Sequence, residues 1–368
     1  IDWLIDDPDR NIENAFVPYG SQEIVVIEVQ QARIRACLLD PTTKKERRVF
    51  TEAGNLIPLG PCSAEEWVGM YYSSTYPEEL TRFSISKPAV DQEKSISRIW
   101  DQTQLTQEDF IPARDYHWNS EDGLRIQGYL YQPLGEPKGT ILYIHGGPTW
   151  HSQDRISNQI QFFARNGYVV LDPNYRGSTG FGLEFQEAIK VDGWGGMEQV
   201  DVRAGIEQLI SDGIASPGKV GITGTSYGGY SAWWAITHFS TDLIQAAAPI
   251  CGMTDLVVDY ESTRPDLRPL SEEMIGGSPS EIPEKYQQRS PINFLSNIQG
   301  KLFIVQGGRD PNVTPENVRV VREALDRENK PYQLLKFDDE GHGISKPKNQ
   351  RTLYLALLDF FEQALQSR

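Results

Sequence analysis

The hydrophobic positions of this chain follow two different patterns, and the first occupies the N-terminal part. From about Ser21 to Ser86, short apolar runs are separated by turn-forming segments such as D-P-T-T and T-Y-P-E-E. Short apolar runs bounded by Pro, Gly, Asp and Asn are typical of antiparallel strands. The pattern predicts a meander of five or six strands, which is more than one four-stranded propeller blade and far fewer than a closed ring of blades requires.

The second pattern begins at about Gly139, where continuous apolar runs alternate with helical periodicity. The runs T-I-L-Y-I, Y-V-V-L-D and K-L-F-I-V-Q have the composition of strands that are buried on both faces. Between them, apolar residues recur three or four positions apart, as at Ile156, Ile160 and Phe163. We therefore predict an α/β fold with a mostly parallel sheet and helices on both faces.

A polar segment, 87–106, separates the two patterns, and we interpret it as a linker because strand patterning resumes at about Glu108. The predicted domains are residues 1–106, an incomplete propeller-like domain with its linker, and residues 107–368, the α/β domain. An incomplete ring leaves strand edges unpaired, and something must cover them: residues upstream of Ile1, the α/β domain, or a second copy in a homo-oligomer. We favour partial blades packed against the α/β domain, with the homo-oligomer as a further possibility.

Charge and composition restrict the partners. The 368 residues carry a net charge of −16, which argues against nucleic acid or an anionic membrane as a partner. No run of 18 apolar residues is present, and the N-terminal residues lack a signal-peptide pattern. The three cysteines include no C-x-x-C pair, so we predict no disulfide framework, no metal, no other cofactor and a reducing, cytoplasmic location.

The candidate chemistry centres on Ser226. The sequence V-G-I-T-G-T-S-Y-G-G-Y around it reads as a strand, a sharp turn and a helix. Gly224 and Gly228 stand two residues before and after the serine, as a strained turn that exposes a nucleophile requires. The amide of Tyr227 begins the predicted helix, where free N–H groups can stabilise a developing oxyanion. A turn that merely caps a helix is the alternative.

A serine nucleophile needs a histidine base and a carboxylate that orients it. Of five histidines, His342 follows the strand-like run Y-Q-L-L-K-F, and Asp310 follows K-L-F-I-V-Q. The order Ser226, Asp310, His342 is that of the α/β-hydrolase fold. Rival carboxylates, which we interpret as a solvated acidic turn, are Asp338, Asp339 and Glu340.

A second oxyanion donor is expected in the loop that follows an early strand. The motif H-G-G-P follows T-I-L-Y-I directly, and we predict that the amide of Gly147 is this donor. The alternative is a plain turn that ends at Pro148.

Together these motifs resemble the prolyl oligopeptidase family. The resemblance rests on G-T-S-Y-G-G-Y, H-G-G-P, N-Y-R-G-S-T-G-F-G, W-G-G, S-P-I, Q-G-G-R-D-P-N-V and E-G-H-G, which occur in the right order from about Glu108 onward. The nearest branch is similar to the acylaminoacyl peptidases and their bacterial relatives, with the dipeptidyl peptidases further away. The resemblance implies an α/β-hydrolase catalytic domain that follows a β-propeller, of which residues 1–100 supply only one or two blades.

The resemblance also implies site residues. It supports Ser226, Asp310 and His342 as the triad and the amides of Tyr227 and Gly147 as the oxyanion hole. It places Asn312 at the substrate backbone carbonyl. Positions near an apolar S1 pocket are Tyr227, Ile250, Met253, Tyr260 and Val313, and the same residues are equally typical of ordinary core.

Three functions compete at this point. The first is a serine exo- or oligopeptidase that cleaves short peptides through an acyl-enzyme on Ser226. The second is a carboxylesterase with the same triad. The third is a non-catalytic interaction module on a degenerate hydrolase fold, which the intact set of Ser, Asp and His argues against.

Overall fold

The computed structural model describes residues 3–49, 53–63, 65–84 and 90–366. The chain forms two compact units. The β unit comprises Ile1–Arg114, His151–Gln161 and Ser178–Gln186, and the α/β unit comprises Asp115–Trp150, Phe162–Gly177 and Glu187–Arg368. A single domain boundary after residue 106 stays a prediction.

The β unit contains two four-stranded antiparallel sheets, which confirms the predicted propeller-like meander. Strands of the first sheet are β1 (Asn11–Phe16), β2 (Ile24–Gln30), β3 (Arg33–Leu39) and β4 (Glu46–Arg48). Strands of the second are β5 (Asn55–Pro61), β6 (Glu66–Ser73), β7 (Tyr76–Ser84) and β8 (Val90–Ser95).

Two strands of the second sheet differ from the sequence-based expectation. β5 contains Pro58 and Gly60, residues that ordinarily weaken a strand, and its register with β6 shifts between them. β8 lies in the polar segment that we interpreted as a linker, yet it pairs with β7 through Thr81–Ser95 and Phe83–Val90. The linker interpretation is wrong for these six residues because pairing of a strand requires backbone groups and no apolar pattern.

The core of the β unit is built mainly on β2, whose apolar run is buried on both faces. Val25 and Ile27 belong to a cluster that also contains Trp67 and Phe83, and Val26 packs on the opposite face. This burial explains why β2 shows no alternation of apolar and polar residues.

The α/β unit is organised by an eight-stranded sheet of order β16-β15-β14-β13-β11-β12-β10-β9. Strands β11 to β16 pair in parallel, whereas β10 is antiparallel to β12, so the sheet is the mostly parallel one that the sequence predicted. The strands are β9 (Arg114–Asn119), β10 (Arg125–Tyr131), β11 (Gly139–Ile144), β12 (Tyr168–Asn174), β13 (Val220–Thr225), β14 (Ala246–Ile250), β15 (Lys301–Gly307) and β16 (Gln333–Phe337).

Helices connect these strands. The helices are α1 (Asn158–Arg165), α2 (Leu183–Asp192), α3 (Met197–Ser211), α4 (Tyr227–His238), α5 (Leu256–Ser262), α6 (Arg268–Ile275), α7 (Pro283–Arg289), α8 (Pro315–Arg327) and α9 (Pro347–Gln366). Within the described ranges, no helix combines the length and apolar character that crossing a bilayer requires.

The parallel strands bring the candidate residues to one edge of the sheet. β11, β13, β15 and β16 run in the same direction, so the residues that follow them lie at the same edge. Such an edge is where open α/β sheets bind ligands. Gly146, Ser226, Asp310 and His342 all follow these strand ends within five residues.

Candidate active site

Ser226 occupies a strained turn between β13 and α4. Its φ of 63° and ψ of −120° are unusual for a residue with a side chain, and such a conformation costs about 1–3 kcal/mol. The turn is held on both sides: the Ser226 amide donates to the Ile250 carbonyl at 3.0 Å, and the Tyr230 amide donates to the Ser226 carbonyl at 2.9 Å.

The flanking glycines are required by close contact with β11. A Cβ at Gly224 would lie 2.4 Å from the Ile144 carbonyl oxygen, and one at Gly228 would lie 2.0 Å from the same atom. At Gly229, a Cβ would lie 2.7 Å from the Cα of Gly252. These distances confirm the expectation that the turn tolerates almost nothing larger than glycine around the serine.

The structure brings His342 and Asp310 together. His342 Nδ1 lies 3.0 Å and 2.8 Å from the two carboxylate oxygens of Asp310, whose side chain is fully buried. Asp310 Oδ1 also accepts from the amides of Asn312 and Val313, at 2.8 Å and 3.1 Å. Because an ionised carboxylate only accepts hydrogen bonds, Nδ1 carries the ring proton, and Nε2 of a neutral ring is left as a proton acceptor.

The rival carboxylates serve the loop after β16. Asp339 accepts from Lys346 Nζ at 2.6 Å. Glu340 is buried and accepts from the Lys346 amide at 2.9 Å and from Asn349 at 2.7 Å. Asp338 is exposed and lies 2.7 Å from Lys336 Nζ. Glu340 thus binds the backbone of the loop that carries His342, while Asp310 contacts the His342 ring.

The H-G-G-P loop lies against the serine turn. A Cβ at Gly146 would lie 3.4 Å from Ser226 Cβ, and Gly147 has a φ of +124°. The His145 ring stacks on Tyr175 with centroids 4.4 Å apart, and the Tyr175 hydroxyl donates to the His145 carbonyl at 3.0 Å. The buried Tyr175 therefore holds this loop in place through its ring and its hydroxyl.

Tyr227 begins α4, and its ring is 1% exposed. The ring packs against Tyr175, Trp194 and Tyr230 with centroids 5.4–5.9 Å apart. Its hydroxyl donates to Glu198 at 2.8 Å. The side chain thus points into the core, while the amide stands at the helix N-terminus.

The predicted substrate residues fall into two groups. Asn312 and Val313 belong to the Asp310 turn, and Ile250 accepts the Ser226 amide, so these three lie at the candidate site. Met253 is buried, and the Tyr260 hydroxyl donates to Glu272 on α6 while the Arg268 guanidinium lies 5.4 Å above its ring. Within the described residues, neither Met253 nor Tyr260 forms a hydrogen bond or an ion pair with a triad residue.

Sequence reasoning did not single out the buried carboxyl groups of Glu198 and Asp259. Glu198 bonds to Tyr227, as described above. Asp259 on α5 is 6% exposed and accepts from Asn317 at 3.2 Å. Burial raises its pKa to about 7; the Asn317 hydrogen bond opposes this, and the negative charge of Asp310 adds to it. A single acidic residue on a short helix carries no sequence signal for burial.

Within the described ranges, no group of three or more His, Cys, Asp and Glu residues is arranged to hold a metal ion. What the site offers is a serine on a strained turn, an imidazole oriented by a buried carboxylate, and backbone amides at a helix N-terminus. These are the parts that acyl transfer uses.

Comparison with known proteins finds peptidases among the relatives of this chain. Dipeptidyl aminopeptidase BIII of Pseudoxanthomonas mexicana is 30% identical over 407 residues, covering 100% of this chain and 58% of that protein. Dipeptidyl peptidase family member 6 of Caenorhabditis elegans is 31% identical over 249 residues, covering 66% of this chain and 33% of that protein. The chain therefore spans only part of the length of these relatives.

Two solved structures share the fold at lower identity. A puromycin-hydrolyzing peptidase of Mycobacterium tuberculosis superposes with a TM-score of 0.83 at 23% identity, covering 98% of this chain and 56% of that one. Acylaminoacyl peptidase of Pyrococcus horikoshii superposes with a TM-score of 0.81 at 22% identity, covering 98% and 57%. The family model described as the prolyl oligopeptidase family matches residues 154–368, more than half of the chain. This chain belongs to the prolyl oligopeptidase family.

Proposed function

We propose that this chain is a serine peptidase that hydrolyses peptide bonds of short peptides through an acyl-enzyme on Ser226. The observation that carries the proposal is the pair of hydrogen bonds from His342 Nδ1 to Asp310, at the sheet edge where Ser226 is held in a strained turn. This pair leaves the opposite ring nitrogen to act as a base.

The proposed reaction has two stages. Ser226 Oγ attacks the carbonyl carbon while His342 Nε2 takes its proton, and the amides of Tyr227 and Gly147 hold the oxyanion. The C–N bond then breaks, and His342 gives the proton to the leaving amine. Water repeats the sequence on the acyl-enzyme, which releases the acid and restores the serine. Asp310 stabilises the imidazolium that forms in each stage.

The proposed substrates are short peptides that the enzyme cleaves as an exo- or oligopeptidase. The names of the relatives, a dipeptidyl aminopeptidase and an acylaminoacyl peptidase, support this class. Asn312 is proposed to bind the substrate backbone. The proposed lining of the S1 pocket is Tyr227, Ile250, Met253, Tyr260 and Val313.

We also propose a cytoplasmic location and a homo-oligomer. The cysteines Cys37, Cys62 and Cys251 are free, which is usual in a reducing compartment. Each four-stranded sheet of the β unit has two edge strands, and exposed strand edges favour pairing with a second chain. Light scattering tests the homo-oligomer, and a strict monomer contradicts it.

The activity is tested by covalent labelling and turnover together. A fluorophosphonate should label the unmodified chain at Ser226, and Ser226→Ala should abolish labelling and lower kcat by roughly 10⁴ to 10⁶. Ser296→Ala, at an exposed serine, is the matched control and should label fully. Labelling at another serine contradicts the assignment.

Acetylated and free aminoacyl and dipeptidyl anilides, each compared with the matching ester, define the substrate class. A peptidase hydrolyses both the anilides and the esters. Hydrolysis of the esters alone identifies the carboxylesterase alternative, and turnover of neither identifies a non-catalytic module.

A further inference from the structure

Glu198 is a buried acid that the proposed reaction does not use. It is the second residue of α3 and is 1% exposed. Its carboxylate accepts four hydrogen bonds: from the amides of Gly195 and Gly196 at 2.6 Å and 2.9 Å, from Gln199 Nε2 at 3.1 Å, and from the Tyr227 hydroxyl at 2.8 Å.

The donors define the state of this carboxyl group. Burial raises the pKa of Glu198, whereas the Tyr227 hydroxyl, Gln199 and the backbone amides lower it. Burial also raises the pKa of the Tyr227 phenol, which therefore stays protonated and donates. Since all four partners donate, and the N-terminus of α3 favours negative charge, Glu198 is held as a carboxylate.

Glu198 holds the residue after the serine from two directions. It binds the Tyr227 hydroxyl directly, and it fixes the Gly195–Gly196 turn that follows Trp194. The Trp194 ring meets the Tyr227 ring edge-on, with centroids 5.4 Å apart. Tyr227 therefore cannot rotate or withdraw without breaking one of these contacts.

The strained conformation of Ser226 explains why the neighbouring Tyr227 has to be anchored. A φ of 63° at Ser226 persists only if its neighbours over-determine it, and hydrogen bonds to a charged group such as the Glu198 carboxylate are strong enough to contribute to this. The Tyr227 amide belongs to the peptide unit that joins Ser226 and Tyr227. Relaxation of the turn at Ser226 would therefore change the direction of this amide.

We propose that Glu198 is a positioning residue: it anchors the Tyr227 side chain so that the Tyr227 amide keeps its direction in the oxyanion hole. This inference rests on the proposed peptidase function. Glu198 touches no substrate and acts only through Tyr227. Because the oxyanion exists in the transition state and not in the bound peptide, loosening the anchor lowers kcat and leaves KM nearly unchanged.

The test is a double-mutant cycle with a matched control. Tyr227→Phe removes the hydroxyl and keeps the ring. Glu198→Gln replaces one carboxylate oxygen, which accepts, with an NH₂ group, which donates and therefore cannot accept from the four donors around Glu198. Tyr230→Phe is the control: Tyr230 lies on the same helix in the same aromatic cluster, is fully buried, and donates its hydroxyl to the Arg289 carbonyl at 2.8 Å.

Each variant is measured for fluorophosphonate-titrated sites, for kcat and KM on the best anilide, for affinity to a peptide aldehyde that forms a tetrahedral adduct, and for Tm. We expect Tyr227→Phe and Glu198→Gln each to lower kcat per titrated site roughly 10-fold, a fraction of the about 10²–10³ that loss of a whole oxyanion donor costs. Aldehyde affinity should fall by the same factor, KM should change less than about 2-fold, and the double variant should be no slower than Glu198→Gln alone.

Tyr230→Phe should keep kcat within about 2-fold of the unmodified chain, since its hydroxyl bonds away from Ser226. If both Tyr227→Phe and Glu198→Gln lower Tm but keep kcat per titrated site, Glu198 is merely structural and the inference is overturned. Additive losses in the double variant overturn it as well. If the unmodified chain is not labelled at Ser226, the proposed function itself fails, and this inference fails with it.

Discussion

Buried carboxylates are compensated differently in one ion pair of the β unit and near the candidate site of the α/β unit. In the β unit, Glu28 is 1% exposed and receives Arg10 Nη1 at 2.5 Å. The charge of Glu28 is thus compensated by a guanidinium group that stabilises the fold. Other buried acids of this unit rely on neutral donors: Asp154 accepts from two backbone amides and lies 3.8 Å from Arg33 Nη2, and Glu79 accepts from a tyrosine hydroxyl.

Three buried acids near the candidate site of the α/β unit have neutral donors. Asp310 accepts from the His342 imidazole and from two backbone amides, Glu198 from a phenol and three amide groups, and Asp259 from the Asn317 amide. Each of the three is at most 6% exposed.

The difference separates structural acids from acids suited to chemistry. The negative charge of a carboxylate that is paired with arginine is already neutralised. A carboxylate held by neutral dipoles keeps its negative charge and can stabilise a cation that forms transiently. A buried carboxylate without a cationic partner lowers the stability of the fold, because the removal of its charge from water is not offset by an ion pair. The proposed site therefore combines reactivity with a local cost that the Arg10–Glu28 pair avoids.

The largest expected effect is that of Asp310→Asn. The new amide would donate toward His342 Nδ1, so the ring would carry its proton on Nε2 and could not accept one from Ser226. We expect kcat to fall by about 10⁴ with little change in Tm. Steady-state turnover and thermal melting measure both quantities. Asp338→Asn, at an exposed carboxylate, is the control, and equal losses in the two variants would contradict the role of Asp310.

An effect of intermediate size is expected when Arg10 is replaced by methionine. The change leaves Glu28 buried without its guanidinium and also removes the contact with Glu46 at 2.7 Å, so the free energy of unfolding of the β unit should fall by about 3 kcal/mol. Urea unfolding measures it. Arg47→Met breaks a half-exposed pair with Glu23, 3.7 Å apart, and should cost less than about 1 kcal/mol. Similar decreases in the free energy of unfolding in the two variants would contradict the expected difference between buried and exposed ion pairs.

The smallest effect concerns Asp259 and depends on pH. Its pKa of about 7, raised by burial from 3.8, means that the folded state favours the protonated acid. The stability that this group contributes is present below about pH 4 and is lost as pH rises through about 7. Asp259→Asn does not titrate, so its Tm relative to the unmodified chain should rise by several degrees between pH 4 and pH 8.

Melting curves at both pH values, with Asp266→Asn as an exposed control, decide this point. Parallel shifts of Tm with pH in the unmodified chain and in Asp259→Asn would show that Asp259 is ionised in the fold throughout this range.

Sequence reasoning reached the parallel sheet and the candidate residues at its edge, because long apolar runs and closely spaced glycines are local signals. It did not reach Glu198: a glutamate in the first turn of a helix is ordinarily a solvated charge that complements the helix dipole. Its burial depends on Tyr227, which lies 29 residues further along. It also missed β1 and β8, which lie outside the predicted meander and pair through their backbones without a strand-like pattern of side chains.

The polypeptide passes between the two units five times, after residues 114, 150, 161, 177 and 186. Two late segments are therefore built into the β unit: Asp154 accepts from the amides of Gly54 and Ser74, and the Gly180 amide donates to Asn11. Recombination at a single junction near residue 106 would separate these partners. A β unit exchanged with that of a relative must bring its versions of 151–161 and 178–186 with it. The two units are therefore not modules that one crossover can exchange.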